Sequence, residues 1–125
     1  MQFRRHYTRE EANALLPEVK RWLNRALLLR QQMARDEKNV QSLLSTGEDI
    51  GGPTVNTWMR LQAELQEVLA EFSSREIQIK DLERGLVDFP ALLAGREVFL
   101  CWENSENPVE YWRELDAAYA GRERL

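Results

Sequence analysis

Residues 77–102, IQIKDLERGLVDFPALLAGREVFLCW, carry the residue pattern that decides the fold. Residues 77–80 alternate between apolar and polar side chains, which predicts an edge strand with one solvent-exposed face. Residues 86–89 form a second predicted strand, and we expect Pro90 to end it. Residues 97–102 form a third strand, whose run of apolar residues indicates that both of its faces are buried.

A strand buried on both faces lies inside a sheet, so a fourth strand is expected beside it. Residues 109–113 are the candidate, after a turn at residues 104–108. The sequence therefore predicts an antiparallel meander of three or four strands over residues 77–113. Residues 114–125 form a tail, whose composition is compatible with either a short helix or an irregular end.

The chain before this meander has the helical period. Thr8 and Glu11 form a capping box, in which each side chain accepts the other residue's backbone N–H, and this marks the start of the first helix. Because Pro17 lacks an N–H, we expect a short helix over residues 9–15 that runs into a long helix over residues 17–44.

A second helix is predicted over residues 54–75, after a break at residues 45–53, where glycines and a proline prevent a helix from continuing. Two helices joined by a short loop pack as an antiparallel hairpin, here over residues 8–76. Arg30 lies at the edge of the apolar face of the first helix, so it is best placed to pair with an acidic residue of the second helix. Most apolar residues of the two helices recur at steps of three or four: Val19, Trp22, Leu23, Ala26, Leu29, Met33, Val40 and Leu44, then Val55, Trp58, Leu61, Leu65, Val68 and Phe72.

The overall prediction is an α+β fold in a single domain, residues 1–125, in which the long helical hairpin packs with the small meander. A formal net charge of −4 argues against a dedicated nucleic-acid-binding protein. The apolar runs are shorter than the roughly 20 residues of a transmembrane helix, so no membrane span is predicted. The single cysteine, Cys101, excludes an intrachain disulfide, and we expect a cytoplasmic location.

Five residues around the predicted strands are candidates for a ligand or metal pocket: Asp88, Cys101, Trp102, Glu106 and Trp112. Carboxylates bind divalent cations or divide acid and base roles, and a thiol becomes a nucleophile when a nearby base makes it a thiolate. The two tryptophans flank the last predicted hairpin, and aromatic clusters bind ligands or partners. No catalytic residue is assigned, and the sequence identifies no cofactor or metal.

Each of these residues also has a structural interpretation. Carboxylates are common on turns, a buried cysteine without a base is inert, and tryptophans fill small cores. His6 is the single histidine and lies far from Cys101 in sequence, so it supports neither a catalytic pair nor a zinc site. Asp88 stands inside an apolar strand and must be exposed or paired, with Arg96 or Lys80 as the expected partner.

Several separated motifs agree in order with those of a known family: YTREEAN (7–13), LLP (15–17), KDLERGLVDFP (80–90), VFLCW (98–102), Glu106, Tyr111-Trp112 and Gly121-Arg122. Together they resemble the prokaryotic domain-of-unknown-function family 2203 over nearly the whole chain. The resemblance implies a small cytoplasmic protein without an established activity. Ser105 stands where the family usually has glycine, and Arg113 where it usually has histidine, so any metal or proton role of that histidine is absent here.

Two long amphipathic helices have more apolar surface than a small sheet covers, and the residues expected to stay uncovered are Leu27, Leu28, Val40, Leu43 and Leu44. The first functional hypothesis is therefore an interaction or structural module that self-associates as a dimer through its helices, without catalytic activity. The alternative is a protein that binds a metal or small molecule, or a minor hydrolase, using carboxylates and Cys101. A nucleic-acid role, through the exposed arginines of the first helix, comes third.

Overall fold

The computed structural model of the protein describes residues 1–45, 47 and 53–125. The elements are helices α1 (Arg9–Ser45) and α2 (Pro53–Ser73), strands β1 (Gln78–Asp81), β2 (Leu86–Leu93), β3 (Arg96–Glu103), β4 (Tyr111–Glu114) and β5 (Glu123–Arg124), and a 3-10 turn at Tyr119–Gly121. The strands form one antiparallel sheet in chain order, which confirms the predicted α+β fold. Most of the predicted helix break at residues 45–53 lies outside the described residues. None of the described helices combines the length and apolar character needed to cross a membrane.

Helix α1 runs without interruption through Pro17, so the break predicted there is wrong. The predicted capping box is confirmed, since the N–H of Thr8 donates to Oε1 of Glu11 (3.0 Å) and the N–H of Glu11 donates to Oγ1 of Thr8 (3.1 Å). Leu16 and Val19, on either side of the proline, are both buried. Their packing outweighs the one helical hydrogen bond that Pro17 cannot donate.

The two helices pack as an antiparallel hairpin, as predicted. The ring centroids of Trp22 and Phe72 are 5.5 Å apart, and Nη2 of Arg25 lies 2.9 Å from Oε2 of Glu64, so contacts run in opposite order along the two helices. The ion pair uses Arg25 rather than the predicted Arg30. Arg25 lies three residues after Trp22, on the edge of α1 that faces α2, whereas Arg30 approaches the β1–β2 turn.

The chain changes from helix to strand at Glu76, where the sequence period also changes. Glu76 has a left-handed backbone (φ 60°), and the N–H of Ile77 donates to the carbonyl of Phe72 (3.0 Å), which closes the end of α2. Left-handed backbone disfavours residues other than glycine. The Glu76 carboxylate helps to offset this cost, because it accepts the N–H groups of Arg4 (3.0 Å) and Arg5 (2.9 Å).

The sheet has two buried faces. The inner face packs against α1 and the end of α2, and the residues in this core include Val87, Phe89, Ala91, Val98, Leu100 and Trp102 of the sheet and Ala12, Leu16, Val19, Leu23 and Phe72 of the helices. The outer face carries the alternate residues, among them Asp88, Phe99, Cys101 and Arg113, which are also buried. Strand β3 is therefore buried on both faces and flanked by a fourth strand, as predicted.

Strand β2 continues through Pro90, although the sequence predicts that it ends there. Pro90 lies opposite Phe99 of β3, and its carbonyl accepts the N–H of Tyr7 (2.7 Å). The carbonyl and the missing N–H of one residue lie on the same edge of an antiparallel strand. On that edge β1 pairs only with residues 86–88, so no neighbouring strand needs an N–H from Pro90.

The tail adds a fifth strand, one more than the largest number predicted. Strand β5 pairs with β4, with Tyr111 opposite Arg124, and the N–H of Leu125 donates to the carbonyl of Glu110 (2.7 Å). Two strand residues are too few to show an alternating pattern, so the sequence did not reveal this strand.

An N-terminal strap, residues 1–6, is attached to the outer face by Glu97 of β3. Oε1 of Glu97 accepts the N–H of Gln2 (2.8 Å). Oε2 accepts the N–H of Phe3 (2.9 Å) and lies 2.8 Å from Nε2 of His6. The Phe3 ring packs on the ring of Phe99, with centroids 5.4 Å apart, so the strap covers part of the outer face.

The hydrogen bonds around Glu97, that of His6 foremost, lower the pKa of its carboxyl from 4.5 to about 2. A carboxyl with a lowered pKa stabilises the folded state above its unfolded pKa, and this contribution is lost as the pH falls through the folded-state value. We therefore expect the free energy of unfolding to decrease as the pH falls between these two values, and to decrease less in Glu97→Gln. Urea unfolding at a series of pH values measures this, with Glu123→Gln on the exposed strand β5 as control. Equal pH dependence in the wild-type protein and Glu97→Gln would contradict it.

Candidate functional site

The candidate site is centred on an ion pair on the outer face, between Asp88 of β2 and Arg113 of β4. The side chain of Asp88 is fully buried and that of Arg113 is 8% exposed. Nη2 of Arg113 donates to Oδ2 of Asp88, and its Nε lies 3.4 Å from Oδ1, so the guanidinium faces both carboxylate oxygens. Asp88 is thus paired rather than exposed, which is one of the two states that its place inside an apolar strand allows.

The partner of Asp88 differs from the two residues that the sequence suggests. Arg96 pairs with Glu114 (3.0 Å). Nζ of Lys80 lies 5.2 Å from the ring centroid of Phe99, and its charge acts on Asp88 without an ion pair. Arg113 reaches Asp88 from β4, two strands away, across β3. Its role depends on the register of three strands, which the residue pattern does not define.

Burial raises the pKa of Asp88 above its ordinary value, while Arg113 and, to a smaller extent, Lys80 lower it. Arg113 also donates to the carbonyl of Ala117 in the tail. Because the guanidinium faces both carboxylate oxygens and the pair is closed to solvent, Asp88 can bind a cation or act as a base only if the pair separates.

Cys101 lies directly opposite Asp88 in the β2–β3 pair and is fully buried. Burial, followed by the charge of Asp88, raises the pKa of the thiol to about 11, although a hydrogen bond with Arg122 acts in the other direction. The thiol is therefore protonated at neutral pH. A thiol is a poor nucleophile compared with a thiolate, so this environment does not activate Cys101.

Arg122 in the tail connects Cys101 to Glu106. Nη1 of Arg122 lies 3.1 Å from Oε1 of Glu106, and its guanidinium carbon lies 4.0 Å and 4.3 Å from the ring centroids of Tyr111 and Tyr119. The Glu106 carboxylate also accepts the N–H of residue 103 (2.7 Å), which fixes the turn after β3. These contacts hold the tail against the outer face.

The structure therefore brings together three of the five predicted site residues, Asp88, Cys101 and Glu106. Arg113 and Arg122 connect them, and we call these five residues the outer-face polar cluster. Sequence reasoning gave neither arginine a place in the site. Arg122 was visible in the late Gly-Arg motif, but no residue pattern showed that the tail returns to the sheet.

The other two predicted site residues, Trp102 and Trp112, lie on the inner face. Trp102 is fully buried in the core, and Trp112 is partly buried against it. Successive residues of a strand point to opposite faces, so Cys101 and Trp102 point away from each other. The two-residue period of a strand was therefore enough to indicate that Trp102 does not share a site with Cys101.

The described residues contain no group of three or more His, Cys, Asp or Glu side chains placed to bind a metal ion. In the outer-face polar cluster each carboxylate faces a guanidinium, whereas hard cations such as Mg²⁺ and Ca²⁺ require several free oxygen ligands. The arrangement is chemically suited to attaching the tail and to fixing the strands.

Comparison with known proteins gives one match. A family model described as an uncharacterized conserved protein, DUF2203, matches residues 5–125, essentially the whole chain. This match confirms the resemblance that the motifs indicated. No curated protein and no solved structure matches the chain.

Removing one member of the Asp88–Arg113 pair leaves the other charge buried without a partner. We expect Asp88→Ala or Arg113→Ala to lower the free energy of unfolding by about 3–5 kcal/mol. In the double variant the free energy of unfolding should fall by less than the sum of the two single decreases, since neither charge then remains buried without a partner. Chemical denaturation measures the coupling, and Arg96→Ala, which removes an exposed ion pair, should cost only about 0–1 kcal/mol. Additive losses would contradict the buried pair.

Burial and the raised pKa of Cys101 predict that iodoacetamide labels the native protein at neutral pH far more slowly than the urea-unfolded protein. Arg122→Ala should speed native labelling, because it releases the tail from the thiol. Arg60→Ala, a change at an exposed residue of α2 outside the tail, is the control and should leave the rate unchanged. Mass spectrometry follows the reaction, and equal rates in native and unfolded protein would show that Cys101 is accessible.

Proposed function

The chain belongs to the DUF2203 family of uncharacterized conserved proteins, and we propose that it is an interaction module that self-associates as a dimer through its helical hairpin. The observation that carries this proposal is the exposure of Leu28 (59%) and Met59 (58%) on the hairpin. A cytoplasmic setting is part of the proposal and is supported by the free thiol of Cys101.

The hairpin extends beyond the cover that the sheet provides. The core shared with the sheet includes α1 residues only as far as Leu23, and Phe72 is its fully buried member from α2. Beyond this core, the described buried residues of the hairpin are Ala26, Leu29 and Leu61. A pair of helices buries only the stripe along which they meet, so the remaining apolar side chains stay in contact with water.

Apolar side chains remain at the surface on both helices. Val55 is 41% exposed, and Leu27 and Trp58 are partly exposed. The Arg25–Glu64 contact places Leu28 and Met59 at nearly the same level of the hairpin. Of the residues predicted to stay uncovered, Leu28 is exposed and Leu27 is partly buried, while the side chains of residues 40, 43 and 44 lie outside the described part of the chain.

A second copy of the chain is the partner that the charges favour. Helix α1 has seven Lys and Arg residues against five Asp and Glu residues, whereas α2 has one Arg residue against three Glu residues. In a two-fold contact the same surface meets itself, so the basic helix of one copy can face the acidic helix of the other. Two hairpins joined in this way form a four-helix bundle, which buries apolar side chains on all four helices.

A catalytic role for the outer-face polar cluster has less support. Both of its carboxylates face arginines, and its thiol is protonated at neutral pH. We assign the cluster the structural role of attaching the tail.

We call the exposed apolar residues Leu28, Val55 and Met59 the exposed hairpin surface. If this surface is the dimer interface, the wild-type protein has twice the mass of one chain at micromolar concentration. Leu28→Lys combined with Met59→Lys should give a monomer, because burying two ammonium groups in the contact is costly. Leu92→Lys changes an apolar side chain of similar exposure (47%) on β2 and should leave the dimer intact. Light scattering after size exclusion measures the masses. A wild-type monomer, or a dimeric double variant, would overturn the proposal.

A further inference from the structure

A surface cavity of about 440 Å³, open to solvent, lies between α1 and the turn before β4, and its lining residues are Asn13, Leu16, Pro17, Lys20, Asn107 and Pro108. It is separate from the outer-face polar cluster and from the exposed hairpin surface. Its volume falls within the range of small-molecule sites, which is about 300–1,000 Å³.

The turn that forms one wall of the cavity is attached to the start of α1. Oδ1 of Asn13 accepts the N–H of Val109 (2.6 Å), and Nε of Arg9 donates to the carbonyl of Val109 (2.8 Å). These bonds fix the turn relative to the helix. Pro17 contributes to the wall as well, and because it has no N–H, the backbone carbonyl of Asn13 lacks its usual helical donor.

Lys20 gives the cavity its charge, since the other five lining residues are neutral. Its side chain is partly buried, and within the described part of the chain its ammonium forms no ion pair. Nζ of Lys20 lies 5.8 Å from the ring centroid of Trp102, so Trp102 lies beneath the part of the wall that Lys20 forms.

Trp102 adds a second unpaired donor next to this wall. Its side chain is fully buried, and its Nε1 is the buried side-chain polar atom that, within the described residues, has no hydrogen-bond partner. Buried polar groups in folded proteins almost always have a partner. An ammonium without a carboxylate partner therefore lines the cavity, and the ring nearest to that ammonium carries an indole N–H without an acceptor.

We propose that this cavity binds a small organic acid. The carboxylate would accept hydrogen bonds from the Lys20 ammonium and the Asn107 side-chain amide, because an anion is the ligand that a cation without a carboxylate partner favours. The apolar body would contact Leu16, Pro17 and Pro108. This apolar surface offers nothing to an inorganic anion, which distinguishes an organic acid from free phosphate.

The test is a titration of the ¹⁵N-labelled protein with benzoate, hexanoate, benzamide and inorganic phosphate, followed by nuclear magnetic resonance. We expect saturable shifts with benzoate or hexanoate at the Trp102 indole N–H and at the Asn107 side chain. The Trp58 indole N–H, on the hairpin, should not shift. Benzamide has the shape of benzoate without its charge, and phosphate has charge without an apolar body, so both should bind at least about tenfold more weakly.

Lys20→Met keeps the aliphatic side chain and removes the charge, and it should weaken benzoate binding by about tenfold or more. Lys38→Met is the matched control, because Lys38 is an exposed lysine of the same helix outside the cavity. Unfolding midpoints of both variants show whether the fold is retained, and Asn107→Ala provides an independent test if Lys20→Met is unstable. Absence of saturable shifts with either acid, equal binding of benzamide or phosphate, or full affinity in Lys20→Met would each overturn the proposal.

Discussion

Strand β3 has apolar residues on both faces, so the fold must supply two covers for one sheet. Helix α1 supplies the inner cover, and its burial on the sheet keeps the helix continuous across Pro17. The outer cover comes from the two ends of the chain: Phe3 of the N-terminal strap packs on Phe99, and Arg122 of the tail stacks on Tyr111. The outer face of the sheet is therefore buried only when the N-terminal strap and the tail both pack against it.

The outer cover is attached largely by charged groups. Glu76 and Glu97 accept backbone N–H groups of the strap, while the Asp88–Arg113 pair and Arg122 connect the sheet with the tail. Charge-assisted hydrogen bonds are strong and directional, so they position short segments whose apolar contacts are few. A buried pair also specifies strand register, since a one-residue slip would move a charge to the other face without its partner. This explains why both carboxylates of the outer-face polar cluster face arginines and are not free for chemistry.

The surfaces that remain open are of a different kind. Beyond the sheet, the hairpin exposes Leu28 and Met59, because two helices alone have too little facing surface to bury them. Eight residues before Leu28 on α1, Lys20 borders a cavity, and Asn13 fixes the turn that forms one of its walls. An apolar surface favours another protein surface, and a single cation in a cavity with apolar and neutral polar walls favours a small organic anion.

The sequence by itself determined the local structure: the change of period at Glu76, the two long helices, four of the strands, and the face that Cys101 shares with Phe99 within β3. These follow from contacts between near neighbours and from the two-residue repeat of a strand. Only the tertiary structure decided that β2 passes through Pro90, that Arg113 pairs with Asp88, and that the tail forms β5. Each of these depends on a group distant in sequence, such as the Tyr7 N–H that bonds to Pro90, and residue patterns do not show which distant segments meet.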